Sequence, residues 1–337
     1  MASDGPIFIA GCGRSGTTYL KTIVDAHPQV FIPTESLFIA DYLRHGRFLP
    51  AGLRKWLFFR EPQLRSWYDG PAFELDDPAD AVRQVHMTMA GKEGAVVWGQ
   101  KTPRFVRYML EFTTAYPDCR WILICRDPRA VVASMLKSKR HTYSLAAACR
   151  RWVRDNQPVI AHRQKPTPNV MVERYEDLVC DFDAHLGRLW QFLELPPLSR
   201  QQVIAQGKVR EYTGSGFSVQ ENNVRDGLEP RPELLDTWKK SLTIYQVRQI
   251  EQRCAEGMAA LGYEPVPPGQ VLLPDRPMEA LRQALSPAKD LMVVGEYMLH
   301  WPIYPIHTLL RKLAIRCLGR SCRSTGSVPG REGATRS

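Results

Sequence analysis

The sequence predicts an α/β fold, a central parallel sheet with helices on both faces, and three observations predict it. Short continuous apolar runs recur along the first half of the chain, as strands buried on both faces do. Apolar residues at helical spacing follow most of these runs, and strands alternating with helices build parallel sheets. A glycine-rich loop joins the first run to its helix.

The elements follow in order. Residues 6–10 (PIFIA) form the first strand, and positions 20, 23 and 24 place a helix after the loop. Residues 95–98 and 120–125 are the next strands, followed by helical pattern over 103–115 and 128–137. Asp127-Pro128 is a helix start, with Asp as the cap and Pro at the first helical position. A fourth strand is expected at 169–173, a helix at 184–193, and further helices at 234–242 and 245–261. Residues 31–90 are irregular and rich in Trp, Phe and Arg, which suits an insertion over the carboxyl edge of the sheet. Residues 207–233 are rich in Gly, Ser and Asn and read as a long functional loop. The expected organisation is a domain over 1–265, an extension over 266–318 and a disordered tail over 319–337.

Composition narrows the function classes. The chain has 337 residues, 44% of them hydrophobic and 24% charged, which excludes a fibrous or wholly disordered protein. A net charge of +10 suggests anionic partners. Seven basic residues fall in 301–337 against a single acid, Glu332, so the body is only mildly basic and no nucleic-acid partner is expected. The eight cysteines are scattered, without a CxxC pair, and read as reduced thiols. No HExxH-type pair suggests a metal site, so none is expected. No apolar signal segment opens the sequence, and a cytoplasmic location is expected.

Gly11-Cys-Gly-Arg-Ser-Gly16-Thr17-Thr18 carries the chemistry. After a strand, such a loop presents backbone N–H groups and a helix N-terminus to phosphate oxygens. A nucleoside triphosphate loop of the Walker type has Lys at position 17. Here Thr17 stands there and the cation is Arg14, a poor match to triphosphate binding. A ligand-free glycine turn is the plain alternative.

Residues 14–18 (RSGTT) after a strand resemble the 5′-phosphosulfate loop of sulfotransferases that use 3′-phosphoadenosine 5′-phosphosulfate (PAPS). The stretch from Arg126 to Ser134 (RDPRAVVAS) resembles the second signature of that family, in which the Arg and Ser hold the 3′-phosphate. Similarity continues through Asp25–Pro28, Lys101–Pro103, Arg174–Leu178 and Trp238-Lys239, covering roughly residues 6–265. The pattern is closer to the tyrosylprotein and carbohydrate branch than to the cytosolic one, because the loop cation is Arg and no His follows Lys101. The resemblance implies a P-loop-like sheet and PAPS as co-substrate, held by Arg14, Ser15, Gly16, Thr17, Thr18, Arg126, Ser134 and Tyr175. It also implies Glu35 as the base and Lys101, with Arg14, as the cations that stabilise the transition state, with adenosine 3′,5′-bisphosphate as product.

A carboxylate is a weak base at its usual pKa of about 4.3, so Glu35 needs proximity or desolvation, for which Phe31, Ile32, Leu37 and Phe38 are at hand. The other reading of Glu35 is an N-terminal acid in a helix beginning at Thr34. The acceptor, a hydroxyl or amine on a small molecule, glycan, lipid or peptide, is open. A P-loop kinase and a non-catalytic nucleotide-binding scaffold at the membrane are the alternatives. Beyond Pro305, Ile306, Leu309, Leu310, Leu313 and Cys317 share a helical face among basic residues, which suits an anionic membrane surface or a helix docked on the domain.

Overall fold

A computed structural model describes residues 5–36, 38–45, 50–61, 64, 67–68, 77–138, 144–207, 227–267 and 273–274. The chain divides into two units, 1–290 and 291–337, and every element named here belongs to the first. The basic stretch after Pro305 and most of the 207–233 loop lie outside the described residues.

Five strands form one parallel sheet in the order β2-β3-β1-β4-β5. They are β1 (Ile7–Gly11), β2 (Val30–Phe31), β3 (Val97–Lys101), β4 (Arg120–Cys125) and β5 (Val170–Arg174). The helices are α1 (Thr17–Asp25), α2 (Phe38–His45), α3 (Ala51–Arg60), α4 (Pro78–Lys92), α5 (Met109–Ala115) and α6 (Pro128–Lys137). They continue with α7 (Leu145–Gln164), α8 (Tyr175–Cys180), α9 (Phe182–Leu193), α10 (Arg200–Gln206) and α11 (Ile244–Leu261).

The alternation of side chains along β1 and β4 separates two cores. Ile7, Ile9, Ile122 and Ile124 pack with Leu20 and Ile23 of α1 and with Leu186, Leu189 and Trp190 of α9 in an aliphatic layer. Phe8 faces the other way, with ring centroids 4.7 Å from Phe112, 5.0 Å from Trp121 and 5.9 Å from Trp98. Each such fully buried side chain contributes about 1.5–3 kcal/mol. Because β1 is fully covered on both faces, its carboxyl end is the rigid point from which the glycine loop departs.

The expected strands are found within one residue, except that β3 runs 97–101 and so carries Lys101 at its last position. The two-residue β2 was not expected. Residues 103–115 divide at Tyr108 into a 3-10 turn (Pro103–Arg107) and α5, and the helix expected at 234–242 is a 3-10 segment, Pro232–Lys240. The described residues of the irregular 31–90 stretch include the helices α2, α3 and most of α4. The twenty-residue α7 is arginine-rich and contains Pro158, which hid it from pattern reading. Beyond Leu261, Leu273 O accepts a hydrogen bond from Ile244 N. Among the described residues, no helix is long and apolar enough to cross a membrane.

Candidate active site

All five strands are parallel, so their carboxyl ends lie along one edge, where the strand order reverses around β1 and open sheets bind ligands. Each strand delivers one of the expected residues there. Arg14 to Thr18 follow β1, Glu35 follows β2, Lys101 ends β3, Arg126 follows β4 and Tyr175 follows β5.

The loop after β1 turns on two left-handed residues, Arg14 (φ 74°) and Gly16 (φ 91°). A non-glycine residue in that region costs on the order of 1–3 kcal/mol and persists where the surroundings hold it. Arg14 is held by Ser134, whose hydroxyl accepts from its Nε at 2.8 Å, so the first signature directly contacts the second. Gly16 is bound to be glycine twice over, because a Cβ there would lie 2.3 Å from the Tyr175 ring. The Arg126 guanidinium lies over that ring, 4.2 Å from its centroid. Two buried polar atoms of the site, Ser15 Oγ and Arg126 Nε, have no hydrogen-bond partner among the described residues.

Buried ion pairs support the loop from beneath. A Cβ on Gly13 would meet Arg151 Nη2 at 2.8 Å. Asp155, on α7, accepts from Arg107 at 2.6 and 2.9 Å and from Arg151 at 3.4 Å, tying the turn after Lys101 to the loop. Asp155 with its arginines is missing from the sequence expectations, because Arg107 reaches it from a separate segment and the helix that carries Arg151 and Asp155 was not expected. Cys12 is buried in the same place, and burial, reinforced by Asp155, pushes its thiol pKa far up, so it stays protonated.

Lys101 is buried and joins two groups: its Nζ donates to Thr18 Oγ1 at 3.0 Å and pairs closely with Glu35 Oε1. Glu35 precedes α2 and so does not serve as a first-turn acid. Nor is it secluded by its apolar neighbours: its side chain is 35% exposed, and its partner is a cation. Thr17 is buried at the start of α1.

At the opposite flank, α6 begins as expected, with Asp127 accepting from Arg129 N at 2.7 Å. Arg129 then reaches Glu251 at 2.8 Å and lies 4.7 Å from the Trp238 ring, so Trp238 packs beside the second signature. Glu176 accepts from Asp127 N and from the Tyr263 hydroxyl, and burial raises its pKa. The Asp127 N to Glu176 bond joins the residue after Arg126 to the residue after Tyr175.

A model of the sulfotransferase family matches residues 6–199, more than half of the chain. The chain is 24% identical over 269 residues to the zebrafish protein-tyrosine sulfotransferase 1, an alignment covering 77% of this chain and 72% of that one. It is also 24% identical over 294 residues to the nodulation protein NoeE of Sinorhizobium fredii, covering 76% and 65%. Against the human protein-tyrosine sulfotransferase 1 the match spans only 34% of that protein, at 28% identity. Among solved structures, the sulfotransferase domain from the curacin biosynthetic pathway superposes with a TM-score of 0.52 at 18% identity, over 77% of this chain and 98% of that one, a likeness of fold. The chain belongs to the sulfotransferase family of enzymes.

Proposed function

We propose that this protein transfers the sulfuryl group of PAPS to a hydroxyl or amine by in-line displacement, with Glu35 as the base. One observation carries the reading: Lys101 bridges Thr18, at the foot of the phosphate loop, and the Glu35 carboxylate. Anion site, cation and base therefore meet within one chain of contacts.

The residues present fit a doubly anionic nucleotide. Among the described residues, Ser15 Oγ is a buried donor without a partner beside the N-terminus of α1, and Arg126 Nε is another beside Tyr175. In this reading Ser15 to Thr18 and Arg14 hold the 5′ end, Arg126 and Ser134 the 3′-phosphate, and Tyr175 supports the nucleotide between them. PAPS supplies the sulfuryl group. Glu35 accepts the proton of the acceptor as the acceptor oxygen or nitrogen bonds to sulfur and the bond from sulfur to the bridging phosphate oxygen breaks. Lys101 and Arg14 stabilise the charge left on that oxygen. The tyrosine sulfotransferases among the relatives favour a phenolic hydroxyl in a peptide as one acceptor class to test.

The test is labelled PAPS offered with a tyrosine peptide, a sugar, a fatty alcohol and a simple phenol, alongside water as the default acceptor. Glu35→Gln should lower turnover by about 10²–10⁴-fold while adenosine 3′,5′-bisphosphate binds nearly as before. Wild-type turnover in that variant would remove Glu35 as the base.

A further inference from the structure

The turn that carries Glu35 is gripped by three consecutive residues at the end of β3. Gln100 Nε2 donates to Thr34 O at 2.8 Å. Lys101 takes the Glu35 carboxylate. The Thr102 hydroxyl accepts from Ser36 N at 3.1 Å and donates to Ser36 O at 3.2 Å. Gln100 and Lys101 are the last two residues of β3 and Thr102 follows them, so three successive residues each hold one residue of the turn.

Gln100 is itself held. It is fully buried, and its Oε1 lies 2.9 Å from Nε2 of His86, which is also fully buried, on α4. The amide nitrogen faces a carbonyl, so the amide oxygen faces the ring; both ring nitrogens of His86 thus lie against an acceptor, and a neutral ring donates to one of them. His86 Nδ1 lies 2.8 Å from Val82 O, one turn back on α4. The ring is packed 4.6 Å from Trp98 and 5.7 Å from Trp67, centroid to centroid. A buried His–Gln pair carries a desolvation cost that an apolar pair of the same shape avoids. What the polar pair adds here is a fixed point for Thr34 O, one residue from the base.

We propose that His86 and Gln100 are positioning residues for Glu35: through Thr34 O they fix the backbone of the turn, so that the carboxylate meets Lys101 and the acceptor in one orientation. Neither touches the reacting atoms. The proposal rests on the reading of Glu35 as the base. It follows from the geometry because Glu35 lies in a turn outside any helix or strand, with its carboxylate partly in solvent, and needs its backbone fixed from elsewhere.

The experiment compares Gln100→Met and His86→Phe, which keep shape and lose the hydrogen bonds, with His86→Gln, which offers a donor toward Gln100. Readouts are kcat and KM with labelled PAPS and the best acceptor of the panel (or water), the affinity for adenosine 3′,5′-bisphosphate, and Tm. The first two variants should lose about ten- to hundred-fold in kcat, since small misplacements near a reacting centre cost that much. Nucleotide affinity should stay within about two-fold, because the phosphate loop is untouched. His86→Gln should recover most of kcat. Lowered Tm with kcat unchanged in these variants would overturn the proposal and leave the pair a purely structural one; so would equal losses in kcat and nucleotide affinity. Should Gln100→Met fail to fold, the two His86 variants carry the test alone. Glu35→Gln is run beside them: if it keeps wild-type turnover the base reading fails, whereas loss there without loss at His86 and Gln100 defeats only the positioning.

Discussion

The two halves of the site are built in different ways. The phosphate loop is one contiguous stretch, Gly11 to Thr18, shaped by its own backbone angles and by the helix that follows it. The acceptor half is assembled from the Thr34–Glu35–Ser36 turn, His86 and Gln100–Thr102, which only the folded sheet brings together. The difference teaches that the groups proposed to hold the anion lie in one stretch of sequence, with backbone N–H groups and a helix N-terminus at hand, while Ser134, Tyr175 and Arg151 pack around that stretch. Aiming a proton acceptor is a tertiary matter, since a carboxylate on a turn takes its direction from whatever grips the turn.

The strongest way to break this comparison is Lys101→Met, because Lys101 is the contact between the halves. Removing its ammonium takes away the cation proposed for the leaving oxygen and leaves Glu35 and Thr18 unjoined. Single-turnover measurements should show a fall of about 10²–10³ in rate, and a fall of less than ten-fold would place the charge stabilisation elsewhere. Gly16→Ala strikes the local half alone. The left-handed φ and the approach of Tyr175 should cost about 1–3 kcal/mol, read as several degrees of Tm, together with loss of nucleotide binding. An unchanged Tm and affinity would show that the loop is more pliable than its backbone suggests.

The smallest effect concerns α2, the helix that follows the Glu35 turn. Burial lifts the pKa of Asp41, on α2, from 3.8 to about 7, with Arg104 and Arg44 opposing the rise. The folded state thus holds the proton more tightly than the unfolded chain, and stability from this group is lost as pH rises from about 4 through about 7. Asp41→Asn stays neutral throughout, so its Tm relative to wild type should be higher at pH 8 than at pH 5. A gap that does not change with pH would mean that Asp41 is not held protonated.

Much of this was legible in the sequence, for physical reasons that differ by element. Strands β1, β4 and β5 are apolar runs closed by turns or helix starts, and their ends are found within a residue of expectation. The cap of α6 was legible because Asp127 and Pro128 act within one turn. The β2 strand escaped notice because two residues carry no pattern. Helix α7 escaped it because arginines and Pro158 obscure its apolar face of Ala148, Cys149, Trp152 and Val159, although Ser144 was a usable cap signal. Within the site, the resemblance supplied Glu35 and Lys101, but their ion pair spans 66 positions and no spacing foretells it. His86 and Gln100 were missed for the same reason, with His86 lying in a stretch whose irregular composition concealed α4.

The central claim is that Arg126 and Ser134 extend the anion site of the loop to take a 3′-phosphorylated nucleotide, and paired calorimetric titrations test it most directly. Wild-type protein should bind adenosine 3′,5′-bisphosphate at least ten-fold more tightly than adenosine 5′-phosphate, and Arg126→Ala should erase most of that margin, a loss of about 1.5–3 kcal/mol for a hydrogen bond to a charged group. Equal affinities for the two nucleotides in the wild type, or a margin that survives Arg126→Ala, would contradict it.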